Sequence, residues 1–271
     1  MSNLLPSSIL KKANKNIRPM VTISFDDGYA SDYDIVFPIL QEYGIRGTFF
    51  VLGDEDRFNT EGLTTASQLK EMAESGQEIA SHGKDHLAYF IEQDNNVIYN
   101  DMVESKKVLE NAIGRPVLTI AYPYGGGDQN VGTGTIEDAE RVQNIAGAIY
   151  ESARGTATHI KRAPFDTPYY LATLYGDKNT YNVPCFLSDG SPSTARALVN
   201  RLMEADEPYW VNIAFHKIYR DGEDKPSNRI NETTFRNEMR YISNMKKAKL
   251  IDVVPFYEGA RRIKTGSSYL L

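Results

Sequence analysis

Apolar and polar positions alternate along Val21-Thr22-Ile23-Ser24-Phe25, and the run stops at Asp26-Asp27-Gly28. That period of two predicts a buried strand. Downstream the period lengthens. Ile35, Val36, Ile39 and Leu40 fall at helical spacing, so residues 32–43 read as a helix, with Pro38 as a defect and Gly44 as its stop. Strand and helix then alternate. The pattern predicts strands over 47–52, 77–81, 117–122, 146–150, 158–162, 209–215 and 250–255, and helices over 65–75, 100–113, 135–143, 192–206 and 232–249. Such alternation argues a parallel, barrel-like α/β fold. No repeat, linker or low-complexity block divides the chain. The expectation is one domain over residues 18–257, preceded by an arm, 1–17, and followed by a tail, 258–271.

Polar chemistry gathers at one kind of place. Asp26-Asp27, His82, Tyr122-Pro123-Tyr124 and His216 each lie at the C-terminal end of a predicted strand. In parallel α/β barrels that rim is where active sites are built. Neighbouring side chains on a strand face opposite ways. Two acids meant for one site must therefore sit where the strand breaks into a turn, which Gly28 permits. Taken alone, Asp26-Asp27-Gly28 is an ordinary turn. His82-Gly83-Lys84-Asp85-His86 changes that reading. A strand-end acid with two histidines four apart makes a three-ligand set for a divalent metal, and leaves the second acid free as a base.

These residues carry a resemblance. Ser24-Phe25-Asp26-Asp27-Gly28 resembles the first motif of the NodB-like polysaccharide deacetylases, carbohydrate esterase family four. Ser81-His82-Gly83-Lys84-Asp85-His86 resembles the second, Ala121-Tyr122-Pro123-Tyr124-Gly125 the third, and Ala214-Phe215-His216 the fifth. The resemblance implies a distorted (β/α) barrel and a mononuclear metal hydrolase of N- or O-acetyl groups. It assigns Asp27, His82 and His86 to one divalent ion, Zn²⁺ or else Co²⁺, Ni²⁺ or Mn²⁺. It makes Asp26 the base, His216 the acid, and the backbone N–H of Tyr124 a holder of the oxyanion. The commoner third motif has an arginine where this chain has Ala121. A subset similar to poly-N-acetylglucosamine deacetylases shares Ala-Tyr-Pro-Tyr-Gly and takes its arginine from a fourth region, where Arg162 is the candidate. Asp166 would tune His216 by the same resemblance.

Composition narrows the partners. The chain has 271 residues, a net charge of -6 and a pI of about 5.4, so no basic footprint argues for nucleic acid. Cys185 is the single cysteine, which excludes an intrachain disulfide and reads as a buried core residue. Gly125-Gly126-Gly127-Asp128 lacks the lysine and hydroxyl of a P-loop. No window has the unbroken apolar run of a membrane span, and residues 1–20 lack a signal-peptide core. The expectation is a soluble chain, cytoplasmic or part of a phage particle, or a secreted protein with its signal removed. Its expected substrate is an acetylated polysaccharide. Two other readings are a hydrolase of a non-sugar amide or cyclic imide, and a non-catalytic carbohydrate-binding component of a phage tail.

Overall fold

The computed structural model describes residues 18–88, 93–125, 135–155, 171–173, 180–183, 185–188, 194–204, 209–226 and 229–265. Its centre is β1, Met20–Asp26, buried at every position. β2 (Thr48–Val51), β3 (Glu78–Ser81), β4 (Thr119–Ala121) and β5 (Ser152–Arg154) follow in parallel on one side. On the other side β8 (Tyr209–Phe215) lies parallel to β1, with Phe25 beside Phe215. β6 (Leu171–Thr173) runs antiparallel along the start of β8, β7 (Phe186–Leu187) parallel along its end, and β9 (Asp252–Val253) pairs with the start of β1. The strand order is β5-β4-β3-β2-β1-β8-β6. Thr180 and Val183 hydrogen-bond β5 from its free side, and the chain continues directly into β7 on β8. Residues 180–183 and 185–188 thereby carry the curled sheet across from β5 to β8. The fold is the expected α/β distorted barrel.

Helices cover the outside. They are α1 (Phe37–Tyr43), α2 (Ala66–Glu74), α3 (Asn95–Ile113), α4 (Ile136–Ile149), α5 (Thr194–Glu204), α6 (Glu232–Lys247) and α7 (Phe256–Thr265). Pro38 sits in the first turn of α1, where a missing N–H costs nothing, and a π-helical turn over Asp32–Val36 precedes it. α2 opens on a capping box between Thr65 and Gln68. In the core, the rings of Phe25, Phe49, Phe215 and Phe235 pack at centroid distances of 5.0–5.7 Å. Glu78 is buried, and burial raises its carboxyl. Thr48 and Thr119 donate to it at 2.7 Å and the Tyr257 N–H at 3.0 Å, which ties β2, β3, β4 and α7 together.

Two expectations change, and a third is not tested. Residues 146–149, expected as the start of a strand over 146–150, are the last turn of α4. Ala146 is buried there on helical spacing from Val142 and Ala139. A short apolar run of that kind fits either element by periodicity alone. The strand comes later, at Ser152–Arg154. Residues 258–265, expected as a tail, belong to α7, which buries Phe256, Ala260 and Ile263. The strand expected over 158–162 lies outside the described residues.

Candidate active site

Register brings the polar groups together. Asp26 ends β1 beside Phe50 of β2. His216 follows Phe215, the partner of Phe25. His82 follows Ser81, the partner of Val51. Arg154 pairs with Ala121 across β4 and β5. All lie at the C-terminal rim of the parallel strands.

At the end of β1 the chain turns left-handed, with φ of 78° at Asp27 and 72° at Gly28. A β-carbon at position 28 would stand 3.0 Å from Val51 Cγ1, so the turn is closed to larger residues on two counts. The turn divides the two acids. Asp26 points inward and is buried; Asp27 swings towards the histidines.

Asp27 Oδ1 lies 3.6 Å from His82 Nε2 and 3.5 Å from His86 Nε2. The three donor atoms fall within 4.8 Å of one another. His82 Nδ1 is 2.8 Å from the Ala121 carbonyl, which can only accept. The proton is therefore on Nδ1, and the Nε2 lone pair faces Asp27. Burial depresses the His82 imidazole to about 4, against the pull of Asp26 and Asp27, so it is neutral at neutral pH. A neutral, tautomer-fixed imidazole, a second imidazole and a carboxylate fit a divalent cation such as Zn²⁺.

The loop that carries the histidines is held from behind. The Lys84 and Asp85 N–H groups donate to Asp101 at 3.1 and 2.9 Å, and Ser105 Oγ donates to the Gly83 carbonyl at 2.9 Å. His86 adopts a φ of 54° and packs edge-on against His82 and Tyr124, at ring distances of 5.1 and 4.6 Å. Tyr124 is also left-handed, with φ 55°, and its side chain is 60% exposed at the mouth.

Asp26 has two unlike oxygens. Oδ2 accepts from Nη2 of Arg154, which is fully buried. Oδ1 is buried and has no protein partner. Burial alone would raise this carboxyl. The positive charge of Arg154, with His82 and His216, outweighs burial and holds it below its ordinary value. Asp26 is thus a carboxylate with one oxygen fixed and one lone-pair set open.

Sequence reasoning missed Arg154. Arg162 and Asp166, the positions expected to support the site, lie outside the described residues. The guanidinium that meets Asp26 comes from the last residue of β5. Ser152-Ala153-Arg154-Gly155 carried the signal, a cation at a strand end before a glycine. Placing the strand at 146–150 concealed it. Two more groups were missed. The Tyr29 hydroxyl bonds Asp27, and burial with that carboxylate pushes it up to about 12. Asp32 is buried with neither oxygen partnered, and burial, then Asp27 and Asp26, raise its carboxyl well above the usual range. Both lie a few residues past the Asp26-Asp27 pair, where no spacing rule marks them.

Residues 13–140 match the family model described as polysaccharide deacetylase. The chain is 34% identical over 121 residues to a putative polysaccharide deacetylase of Bacillus subtilis, YxkH, spanning 44% of this chain and 42% of that protein. It is 30% identical over 126 residues to the poly-beta-1,6-N-acetyl-D-glucosamine N-deacetylase of Staphylococcus aureus, spanning 42% and 43%. The matches thus span less than half the length of these curated relatives. Among solved structures, the Xyl-CE4 domain of a multidomain xylanase from the hindgut metagenome of Trinervitermes trinervoides superposes over 92% of both chains, with a TM-score of 0.56 at 18% identity. At that identity the likeness concerns the fold.

Proposed function

From the match of residues 13–140 to the polysaccharide deacetylase family model and the likeness to curated deacetylases, we propose that the chain is a member of that family and hydrolyses acetyl groups from an acetylated polysaccharide, with N-acetylglucosamine units the first class to test. The observation that carries this reading is the pairing of a three-donor cation site, Asp27, His82 and His86, with a second carboxylate whose Oδ1 is unpartnered.

A divalent cation held by those three residues supplies Lewis acidity, which lowers the pKa of water and polarises an acetyl carbonyl. The protein's own groups do the rest. Asp26 Oδ1 takes a proton from the attacking water, while Arg154 keeps Oδ2 occupied and the carboxylate ionised at neutral pH. The Tyr124 N–H, in its left-handed turn, donates to the oxyanion. His216, from the end of β8, returns a proton to the departing amine or alkoxide. His82 stays neutral because it is buried, and keeps Nε2 as a donor because Nδ1–H is spent on Ala121.

The test separates the two acids. Asp27→Ala loses bound zinc and acetate release together. Asp26→Asn keeps zinc and loses at least about a hundredfold in turnover. The assay is acetate released from β-1,6-linked N-acetylglucosamine oligomers, with acetylated xylan as a second substrate. Undiminished acetate release by Asp26→Asn would remove Asp26 as the base. No release from any acetylated glycan by the zinc-loaded wild type would end the deacetylase reading.

A further inference from the structure

Arg154 is held at more than one atom. Nη2 donates to Asp26 Oδ2; Nη1 donates to Cys185 Sγ at 2.9 Å and, at a longer 3.4 Å, to the Gly155 carbonyl. The guanidinium lies over the Phe50 ring, 4.9 Å from its centroid. Nε is buried without a partner, so nothing at that end sets the angle of the group. A guanidinium is a rigid plane. The Phe50 face fixes the plane, and a bond at Nη1 then fixes where Nη2 points within it. Arg154 and Cys185 are both 0% exposed, so water is not at hand to replace the sulfur.

Cys185 lies in the segment that crosses from β5 to β8. Val183 bridges Arg154 on one side, and Phe186 pairs with Ile213 on the other. Sheet closure and the aim of the arginine therefore meet at one side chain.

We propose that Cys185 is a positioning residue, whose sulfur accepts from Arg154 Nη1 and so fixes the direction in which Nη2 meets Asp26. The proposal rests on the reading of Asp26 as the base. It adds that the thiol holds Oδ2 engaged and Oδ1 turned to the reacting water. The other charged or titratable groups around Asp26 are His82 from the end of β3, His216 from the end of β8, Asp27 from its own turn and Asp32 from the π-helical turn before α1. None of these holds Nη1.

The test compares Cys185→Val, which keeps bulk and removes the acceptor, with Cys185→Ser, which keeps an acceptor. One readout is independent of activity: the side-chain N–H resonances of Arg154 in [15N]arginine-labelled protein, assigned by their loss in Arg154→Lys. Wild type and Cys185→Ser show a slowly exchanging, non-averaged Nη pair, and Cys185→Val loses it. In acetate release, Cys185→Val falls about 10- to 100-fold in kcat, with KM and zinc content unchanged, and Cys185→Ser recovers most of the loss. Cys185→Ala replaces the valine variant should that fail to fold. Intact Arg154 resonances and unchanged kcat in the folded Cys185→Val or Cys185→Ala protein overturn the proposal. So does a serine variant as impaired as valine, since bulk or sulfur would then matter and not an acceptor. Altered resonances with no acetate release by wild type leave the thiol's hold on Arg154 standing and remove the deacetylase reading.

Discussion

Two buried carboxylates in this protein, Asp26 and Asp32, have opposite fates, and partners decide which. Asp26 is compensated by Arg154 and stays ionised. Arg154→Met strands that charge. The expected cost is about 3 kcal/mol in denaturant unfolding, together with a loss of turnover, because removing one member of a buried pair is worse than never having had it. Asp32 has no partner, and its carboxyl is raised. A raised carboxyl binds its proton more tightly in the folded chain, so stability falls as pH rises from about 4 through the folded value. Asp32→Asn removes that loss. The variant should be more stable at pH 7 by about 1 kcal/mol, a gain that fades below pH 4. Denaturant midpoints at pH 7 and pH 3.5 check it; an equal gain at both would show that ionisation is not the cause. Glu78, equally buried, is also raised, but the three hydrogen bonds it accepts oppose burial, so the same loss is expected to be smaller there.

At the scale of elements, strand ends bring the groups near and local turns aim them. Four non-glycine residues have positive φ among the described residues: Asp27, His86, Tyr124 and Lys249. Three of the four line the site, which places backbone strain where geometry has to be held. The His82–His86 loop is held by α3. Asp101 receives two of its N–H groups, and Ser105 approaches so closely that a β-carbon on Gly53 would stand 2.3 Å from the Ser105 carbonyl oxygen. Asp101→Ala should therefore loosen the loop while leaving the barrel folded. Zinc affinity should drop about 10- to 100-fold, the usual cost of removing support behind a ligand. Calorimetric titration of metal-stripped protein measures it. An unchanged affinity would mean the loop holds its shape without α3.

For the whole molecule, a cation that binds the folded chain adds stability by mass action, about 2.7 kcal/mol at a hundredfold excess over Kd. The imidazoles must be neutral to bind it. Saturating zinc should raise Tm at pH 7, and the increment should shrink as pH falls below about 6, where protons compete. Without metal, His82 works in the same direction. Its folded value of about 4 lies below the unfolded value of about 6.5, so the unfolded chain takes the proton first and stability falls as pH drops through that window. Calorimetric scans with zinc and with chelator across pH 5–8 check both. A zinc increment independent of pH would exclude histidine ligation. Among the described residues no helix is long and apolar enough to cross a membrane.

The sequence by itself determined most of the frame. The strand over residues 209–215 appears with the expected bounds, β1 ends at the expected acid, and the alternation of strands and helices is that of an α/β barrel. Asp27, His82 and His86 could be grouped in advance because a strand-end acid and an i, i+4 histidine pair are local patterns, and local patterns survive in one dimension. Arg154 could not. Its partner Asp26 is 128 positions away, and the pair exists only because the sheet curls until β5 faces the end of β1. The thiol of Cys185, the clamp at Asp101 and the unpartnered carboxyl of Asp32 are of the same kind. Each is defined by what stands opposite once the chain is closed, and burial, which sets their energies, is a property of the closed structure alone.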